Sequence, residues 1–191
     1  MLALLAAGQS RRFGDSDKLS AWLGDKMLGL HAAETGVTMA FSHKLVIASP
    51  QHDCAEQWSD LGYRVIANEQ AALGQATSVR LAAAHAIEAG ARALCIMLAD
   101  MPFVTRDHIT KLLTAFEQSG GTVASARDGQ AMPPAIFSVD ALESLLALEG
   151  DSGARTLLAE ARLVSSEDPL LMDIDTMEDL AQANILYNQF R

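Results

Sequence analysis

The chain is poor in cysteine. It has two in 191 residues, Cys54 and Cys95, with no Cys-x-x-Cys and no Cys/His ligand spacing. Its five histidines, at 31, 43, 52, 85 and 108, form no His-x-x-x-His pair. Neither a zinc site nor a disulfide is expected. Cys95 sits inside the run Leu94–Leu98 and reads as a small core residue. Long apolar runs are also missing: nothing reaches the roughly 18 residues that span a bilayer. Met1–Ala7 is short and has no basic flank, so it does not read as a signal peptide. No membrane partner is expected, and the expected location is cytoplasmic. Positive charge is scarce too, with 14 basic against 24 acidic residues and a net charge of −10. That argues against nucleic acid as a partner, because such binders carry a basic surface. An anionic small substrate stays compatible, since a local basic cluster or a bound metal inverts the local field.

Residues that are 50% hydrophobic and 20% charged can bury a substantial core, and 191 of them suit one domain, 1–191. The most informative stretch comes first. Leu2–Ala7 is an uncharged run of strand length, ended by Gly8. A polar loop with Arg11, Arg12, Gly14 and Lys18 follows, and Ser16 or Asp17 is a good cap for a helix starting there. A buried strand feeding a glycine-containing basic loop suits phosphate. Glycine lets the backbone approach a ligand, turn N–H groups form an anion site, and Arg and Lys neutralise phosphate oxygens. The spacing Gly8 to Gly14, followed by Asp15, matches neither a Walker loop nor a dinucleotide fingerprint.

Strand and helix patterns alternate along the rest of the chain. Strands are expected at Lys44–Ser49, Tyr63–Asn68, Ala93–Ala99, Thr122–Ala126, Pro134–Phe137 and Leu170–Ile174. Helices are expected at Lys26–Met39, Asp53–Leu61, Val79–Ala89, Thr105–Gln118, Ser138–Leu148, Ala154–Ala161 and Thr176–Tyr187. His31 and Trp58 read as packing residues. Ala93–Ala99 is the most hydrophobic run and lacks alternation, as a central parallel strand covered on both faces would. The alternation predicts a three-layer α/β domain with a largely parallel sheet.

Ligands of such sheets bind outside the carboxyl ends of the strands. Three segments fall there: Gly8–Lys18, Asp100-Met101-Pro102, and Asp173-Ile174-Asp175-Thr176. A basic loop with two separated carboxylates at one sheet edge suits a metal–nucleotide complex, because Mg²⁺ takes one or two carboxylates plus phosphate oxygens and water. On one strand, Asp173 and Asp175 would share a face. One would ligate metal and the other would cap the helix beginning near Thr176.

The opening Leu5-Ala6-Ala7-Gly8-x-Ser10-x-Arg12-Phe13-Gly14…Lys18 resembles the signature of the MobA-like NTP transferase family. Leu98-Ala99-Asp100-Met101-Pro102 resembles its metal motif, and Asp173–Leu180 resembles its D-I-D-T-P-E-D-L segment, with Met177 in place of a proline. Gly150-Asp151-Ser152-Gly153-Ala154-Arg155 and Ala6-Ala7 favour the molybdenum cofactor cytidylyltransferase branch over the guanine branch. Met132-Pro133-Pro134 departs from that branch on the side facing the acceptor.

The resemblance implies a Rossmann-like α/β/α nucleotidyltransferase that moves CMP from CTP to the phosphate of a molybdopterin-type cofactor, with Mg²⁺ as cofactor and pyrophosphate as leaving group. It implies nucleotide binding by Leu5, Ala6, Ala7, Gly8, Ser10, Arg12, Gly14, Lys18, Asn68, Gly74 and Ser78. Catalysis would fall to Arg12, Lys18 and Asp100, metal binding to Asp100 and Asp175, and acceptor binding to Arg155. A molybdoenzyme or its chaperone is the implied protein partner. GTP in place of CTP, a sugar or alcohol phosphate as acceptor, and a non-catalytic cofactor-binding module are the alternatives.

Overall fold

The computed structural model describes residues 1–8, 12–14, 17–149, 155–166 and 169–189, without the side chains of 155 and 156. Ser10, Gly150–Gly153 and the Arg155 side chain therefore lie outside the described residues.

Strand β1 (Leu2–Leu5) is buried along its whole length, as its uncharged sequence demands. It pairs in parallel with β4 (Lys44–Ala48) on one side and β6 (Ala93–Leu98) on the other. Strand β5 (Arg64–Ala67) continues the sheet beyond β4. Beyond β6 come β8 (Gln130–Ser138), β7 (Val123–Arg127) and β9 (Arg162–Ser165), giving the order β5-β4-β1-β6-β8-β7-β9. Among the described residues only β8 runs against the others, pairing antiparallel with both β6 and β7.

Successive strand residues point to opposite faces, and each face has its own cover. Leu2, Leu4, Val46, Cys95 and Met97 pack with helices α1 (Leu28–Val37), α2 (Ala55–Asp60), α4 (Arg106–Ser119) and α7 (Met177–Gln189). Ala3, Leu5, Ile47, Leu94 and Ile96 pack with α3 (Gln75–Glu88), α5 (Val139–Leu146) and α6 (Arg155–Leu158). These are the three layers expected of the sequence. Ala76, Ala82, Ala83 and Ala86 let α3 lie close on the sheet. Trp58 is fully buried and its indole donates to Gly29 O at 2.9 Å. His31 is buried as well, its Nε2 3.0 Å from Leu23 O, and Cys95 is a core thiol.

Several expectations need correction. The basic loop leads into a single 3-10 turn, Lys18–Ser20, capped by the Asp17 side chain. Residues 22–27 form a hairpin of β2 (Trp22–Leu23) and β3 (Lys26–Met27) before α1 begins. The last strand is β9, not Leu170–Ile174. β9 is a half-exposed edge strand whose sequence, Arg-Leu-Val-Ser, gives a weak apolar signal. Leu171 and Ile174 are buried as irregular chain, so their apolar character comes from core filling and not from sheet pairing. Helix α7 then ties back to the hairpin, with Asn184 accepting from Gly24 N at 3.0 Å and Tyr187 donating to Asp25 at 2.7 Å. Among the described residues no helix is long and apolar enough to cross a membrane.

Candidate active site

The carboxyl ends of β1 and β6 lie side by side, with Leu5 in register with Leu98. The chain leaves β1 through Ala6, Ala7 and Gly8, and it leaves β6 into Asp100. Between them opens a cleft of about 540 Å³. Leu5, Ala6, Ala7, Gly8, Arg12 and Lys18 line one part of it, Asp100 and Asp175 its floor, and Ala71–Gln75 with Ser78 the opposite wall. Gly14, ahead of Lys18, stands at φ +102°, a conformation that favours glycine.

Lys18 is nearly buried and its ammonium is shared. Nζ donates to Asp100 Oδ2 at 2.6 Å and to Asp175 Oδ1 at 2.8 Å. The other oxygen of Asp175 accepts from Arg12 Nη2 at 2.6 Å. Burial opposes the charge on Lys18, but Asp100 and then Asp175 outweigh it and hold the pKa above its ordinary value. For Asp100, burial is the largest influence and raises the pKa. Lys18 pulls it down, and the neighbouring carboxylates of Asp173 and Asp175 push it up again; the net direction is up. The Arg12 side chain is 73% exposed, so its pair with Asp175 is weak and easily exchanged for a ligand phosphate.

The pairing of Asp100 with residue 175 is fixed by backbone as well as charge. Ile174 N donates to Asp100 O at 3.0 Å, which brings the last segment against the end of β6. Thr176 and Asp179 then lock its conformation by capping α7 reciprocally. Asp179 Oδ2 accepts from the Thr176 backbone N at 2.8 Å and from Asp175 N at 3.1 Å, and Thr176 Oγ1 accepts from Asp179 N at 3.1 Å. Neither Asp173 nor Asp175 caps the helix, contrary to expectation. Asp179 was missed as a site-shaping residue, although the Thr-x-x-Asp spacing before an apolar helix was visible in the sequence.

The donor set suits a hard divalent cation. Asp100 Oδ1 is buried without a hydrogen-bond partner among the described residues, an acceptor left over after Lys18 is satisfied. Among the described residues no three His, Cys, Asp or Glu form a ready cage. Two carboxylates with phosphate oxygens and water supply what Mg²⁺ or Mn²⁺ needs.

The wall at Ala71–Ser78 is neutral. Gly74, at φ +106°, starts α3 with no side-chain cap, and Gly74, Gln75 and Ser78 of its first turn line the cleft. Asn68 does not line the cleft. Its Nδ2 donates to Thr77 Oγ1 at 2.9 Å and Ser78 Oγ at 2.8 Å, and its Oδ1 accepts from Gln70 N at 3.0 Å. Gly14 also stays outside the lining, while Leu19, Gln75 and Leu98 join it unforeseen.

Comparison with known proteins gives the family. The chain is 32% identical to the purine catabolism protein PucB of Bacillus subtilis, over 92% of this chain and 91% of that one. It is 30% identical to a molybdenum cofactor guanylyltransferase of Cereibacter sphaeroides, over 96% and 94% of the two chains. The crystal structure of Rv0371c from Mycobacterium tuberculosis H37Rv, a complex with manganese, superposes with a TM-score of 0.77 at 19% identity over 96% of each chain. The profile of the MobA-like NTP transferase domain matches residues 2–166, and the chain belongs to that family of nucleotidyltransferases.

Proposed function

We propose that the protein transfers CMP from CTP to the terminal phosphate of a molybdopterin-type cofactor, acting as one unit from residue 1 to 191. The observation that carries this reading is the placement of Lys18 between Asp100 and Asp175 on the floor of a cleft whose far wall is neutral. Nucleotidyl transfer asks little covalent chemistry of a protein; positioning and charge neutralisation supply most of the rate. An oxygen of the acceptor phosphate attacks the α-phosphorus of the nucleotide, the bond to the bridging oxygen breaks, and pyrophosphate leaves with that electron pair. Arg12 and Lys18 hold the triphosphate and take up the charge growing on pyrophosphate. The backbone N–H groups after β1 add to that field. Asp100 and Asp175 hold the divalent cation, which when bound neutralises the phosphates. Arg155 is the acceptor-phosphate ligand.

The cytidine assignment rests on Ala6-Ala7 and on the Gly150–Arg155 motif. A second reading, GTP as donor, is favoured by the relative named as a molybdenum cofactor guanylyltransferase. Calorimetry with CTP, GTP, ATP and UTP in the presence of Mg²⁺ or Mn²⁺ decides between them. Preference for CTP, followed by pyrophosphate release on adding molybdopterin, supports the first; preference for GTP supports the second. No binding of any nucleotide at millimolar concentration sinks both. A molybdoenzyme or its chaperone is the proposed recipient of the product.

A further inference from the structure

The neutral wall contains a buried polar group whose wiring assigns a direction to a hydrogen bond. Asn68, Thr77 and Ser78 are all buried, with 8%, 3% and 4% of their surfaces exposed. The orientation of the Asn68 amide is fixed by chemistry. Gln70 N is a backbone N–H and can only donate, so the atom 3.0 Å from it must be the amide oxygen. The amide nitrogen therefore faces the two hydroxyls and gives them both its hydrogens. Thr77 passes its own hydrogen to Gly74 O at 2.8 Å and is satisfied. Ser78 accepts from Asn68, so its hydrogen must point away from Asn68, and no described residue accepts it. Ser78 lines the cleft; Asn68 does not.

We infer that Asn68 is a positioning residue that makes the Ser78 hydroxyl an obligate hydrogen-bond donor to an acceptor atom of the bound nucleoside. This rests on the nucleotide-binding reading of the cleft and sharpens it. Asn68 touches no ligand. Its amide spends both donors and one of the two oxygen lone pairs on the protein: the donors fix two hydroxyls, and the oxygen closes the turn at Gln70, which carries the Ala71–Leu73 wall. The acceptor is a carbonyl or ring nitrogen of the base, or a ribose oxygen. Both chemistries take a donated hydrogen and both lie on the neutral side of a nucleotide whose phosphates sit at Lys18.

A double-mutant cycle tests the inference, with CTP and GTP binding measured by calorimetry in saturating Mg²⁺ for wild type, Ser78→Ala, Asn68→Asp and the double variant. Aspartate keeps the acceptor for Gln70 N but has no hydrogens to give, so the Ser78 hydroxyl turns to donate to it and is withdrawn from the cleft. Ser78→Ala is expected to weaken binding about tenfold, the worth of one buried hydrogen bond, and to lower the melting temperature by a few degrees, because one hydrogen of the buried Asn68 amide loses its acceptor. Asn68→Asp is expected to cost about tenfold more in the wild-type background than in Ser78→Ala. Any effect of the new charge on the triphosphate appears in both backgrounds and cancels. Equal cost in the two backgrounds would overturn the inference, because Asn68 would then act on the nucleotide without Ser78. Should Asn68→Asp fold poorly, wild-type affinity in Ser78→Ala overturns it equally well. 2′-Deoxy-CTP and 3′-deoxy-CTP separate the sources: if one loses affinity against wild type but not against Ser78→Ala, the acceptor is that ribose oxygen. If both lose equally against the two proteins, it is the base. A wild type that binds no nucleotide removes the reading of the cleft, and this inference with it; a wild type that binds with no coupling removes the inference alone.

Discussion

The two ends of the cleft are built in opposite ways. At the phosphate end four side chains from three distant parts of the sequence, Arg12, Lys18, Asp100 and Asp175, meet in a chain of ion pairs. At the nucleoside end the wall comes from one stretch, Ala71–Ser78, made of small residues, backbone and a buried amide–hydroxyl cluster. On the proposed reading the first end supplies charge, as any reaction of a triphosphate requires, and the second supplies shape and one directed hydrogen bond by which substrates would be told apart. Variants at the first should lower kcat, and variants at the second should raise KM.

The largest effects are expected from Lys18→Ala and Asp100→Asn. Each should reduce kcat by about 10²-fold in a pyrophosphate-release assay, in the range found when one preorganised charge-stabilising group is removed. Full turnover in both would show that the ion-paired floor is not where the chemistry occurs. Lys18→Ala also leaves two carboxylates facing each other, so added divalent cation should restore its melting temperature more than it does for Asp100→Asn.

Next comes Asp175. Its carboxylate is held on both oxygens by Lys18 and Arg12, whereas among the described residues Asp173 enters as a neighbouring charge on Asp100. Asp175→Ala should therefore raise the concentration of divalent cation for half-maximal rate by about tenfold, as loss of a charge-assisted contact does, and Asp173→Ala by much less. The reverse order in a metal titration would exchange their roles.

These four residues were legible in the sequence for a physical reason. A charge placed directly after a buried strand points to a ligand, a partner or a turn cap, so Asp100 stands out after Ala93–Ala99, while Lys18 is marked by the basic glycine-containing loop that it closes. Sheet topology then brings strand ends together without further information. Asn68 was legible only as a polar residue after a strand; that its amide faces Ser78 and not the cleft is a matter of side-chain geometry, which periodicity does not carry. The hairpin at Trp22–Met27 and the strand Arg162–Ser165 were missed because both lie partly exposed at margins, where burial does not impose a hydrophobic pattern. Leu170–Ile174 misled in the opposite sense: burial alone makes an apolar run, with or without a sheet.

At the nucleoside end, Gly74→Ala places a side chain on backbone at φ +106°, which costs about 1–3 kcal/mol if the turn is kept. The turn is expected to relax instead, moving the wall and raising KM for the nucleotide about fivefold, an energy of about 1 kcal/mol, while kcat changes little. A fall in kcat of the same size would mean that the two ends are not separable.

The phosphate end also sets the alkaline limit of the unliganded protein. The folded pKa of Lys18 is raised, so its contribution to stability is complete below the unfolded value of about 10.4 and is lost as pH climbs through the higher folded value. Thermal melts of wild type and Lys18→Met should keep a constant gap up to about pH 10 and converge above it. The buried thiols of Cys54 and Cys95, pushed up to about 12, lose stability over the same range in both proteins and leave the difference untouched. A gap that closes near neutral pH would mean that Lys18 is not held in the charged form by its two carboxylates.

The smallest effect expected is at Asp179, which touches no ligand and sits outside both ends. It caps α7 and holds Asp175 N, so it sets where the floor carboxylate stands. Burial is the largest single influence and disfavours its charge, but the bonds from Thr176 and Asp175 together prevail and hold its pKa below the ordinary value. Its contribution is therefore present above about pH 3.9 and lost as pH falls through the lower folded value. Asp179→Ala should lower the melting temperature by about 2–4 °C at neutral pH, the worth of one helix cap in a chain of this size, and raise the divalent-cation requirement about twofold to threefold, well under 1 kcal/mol. Asp179→Asn keeps an acceptor for the Thr176 N–H and should recover most of both. If the alanine variant lost the cap's worth of stability with an unchanged metal titration, Asp175 would owe its position to Lys18, Arg12 and Ile174 N, and the floor would be independent of the helix that follows it.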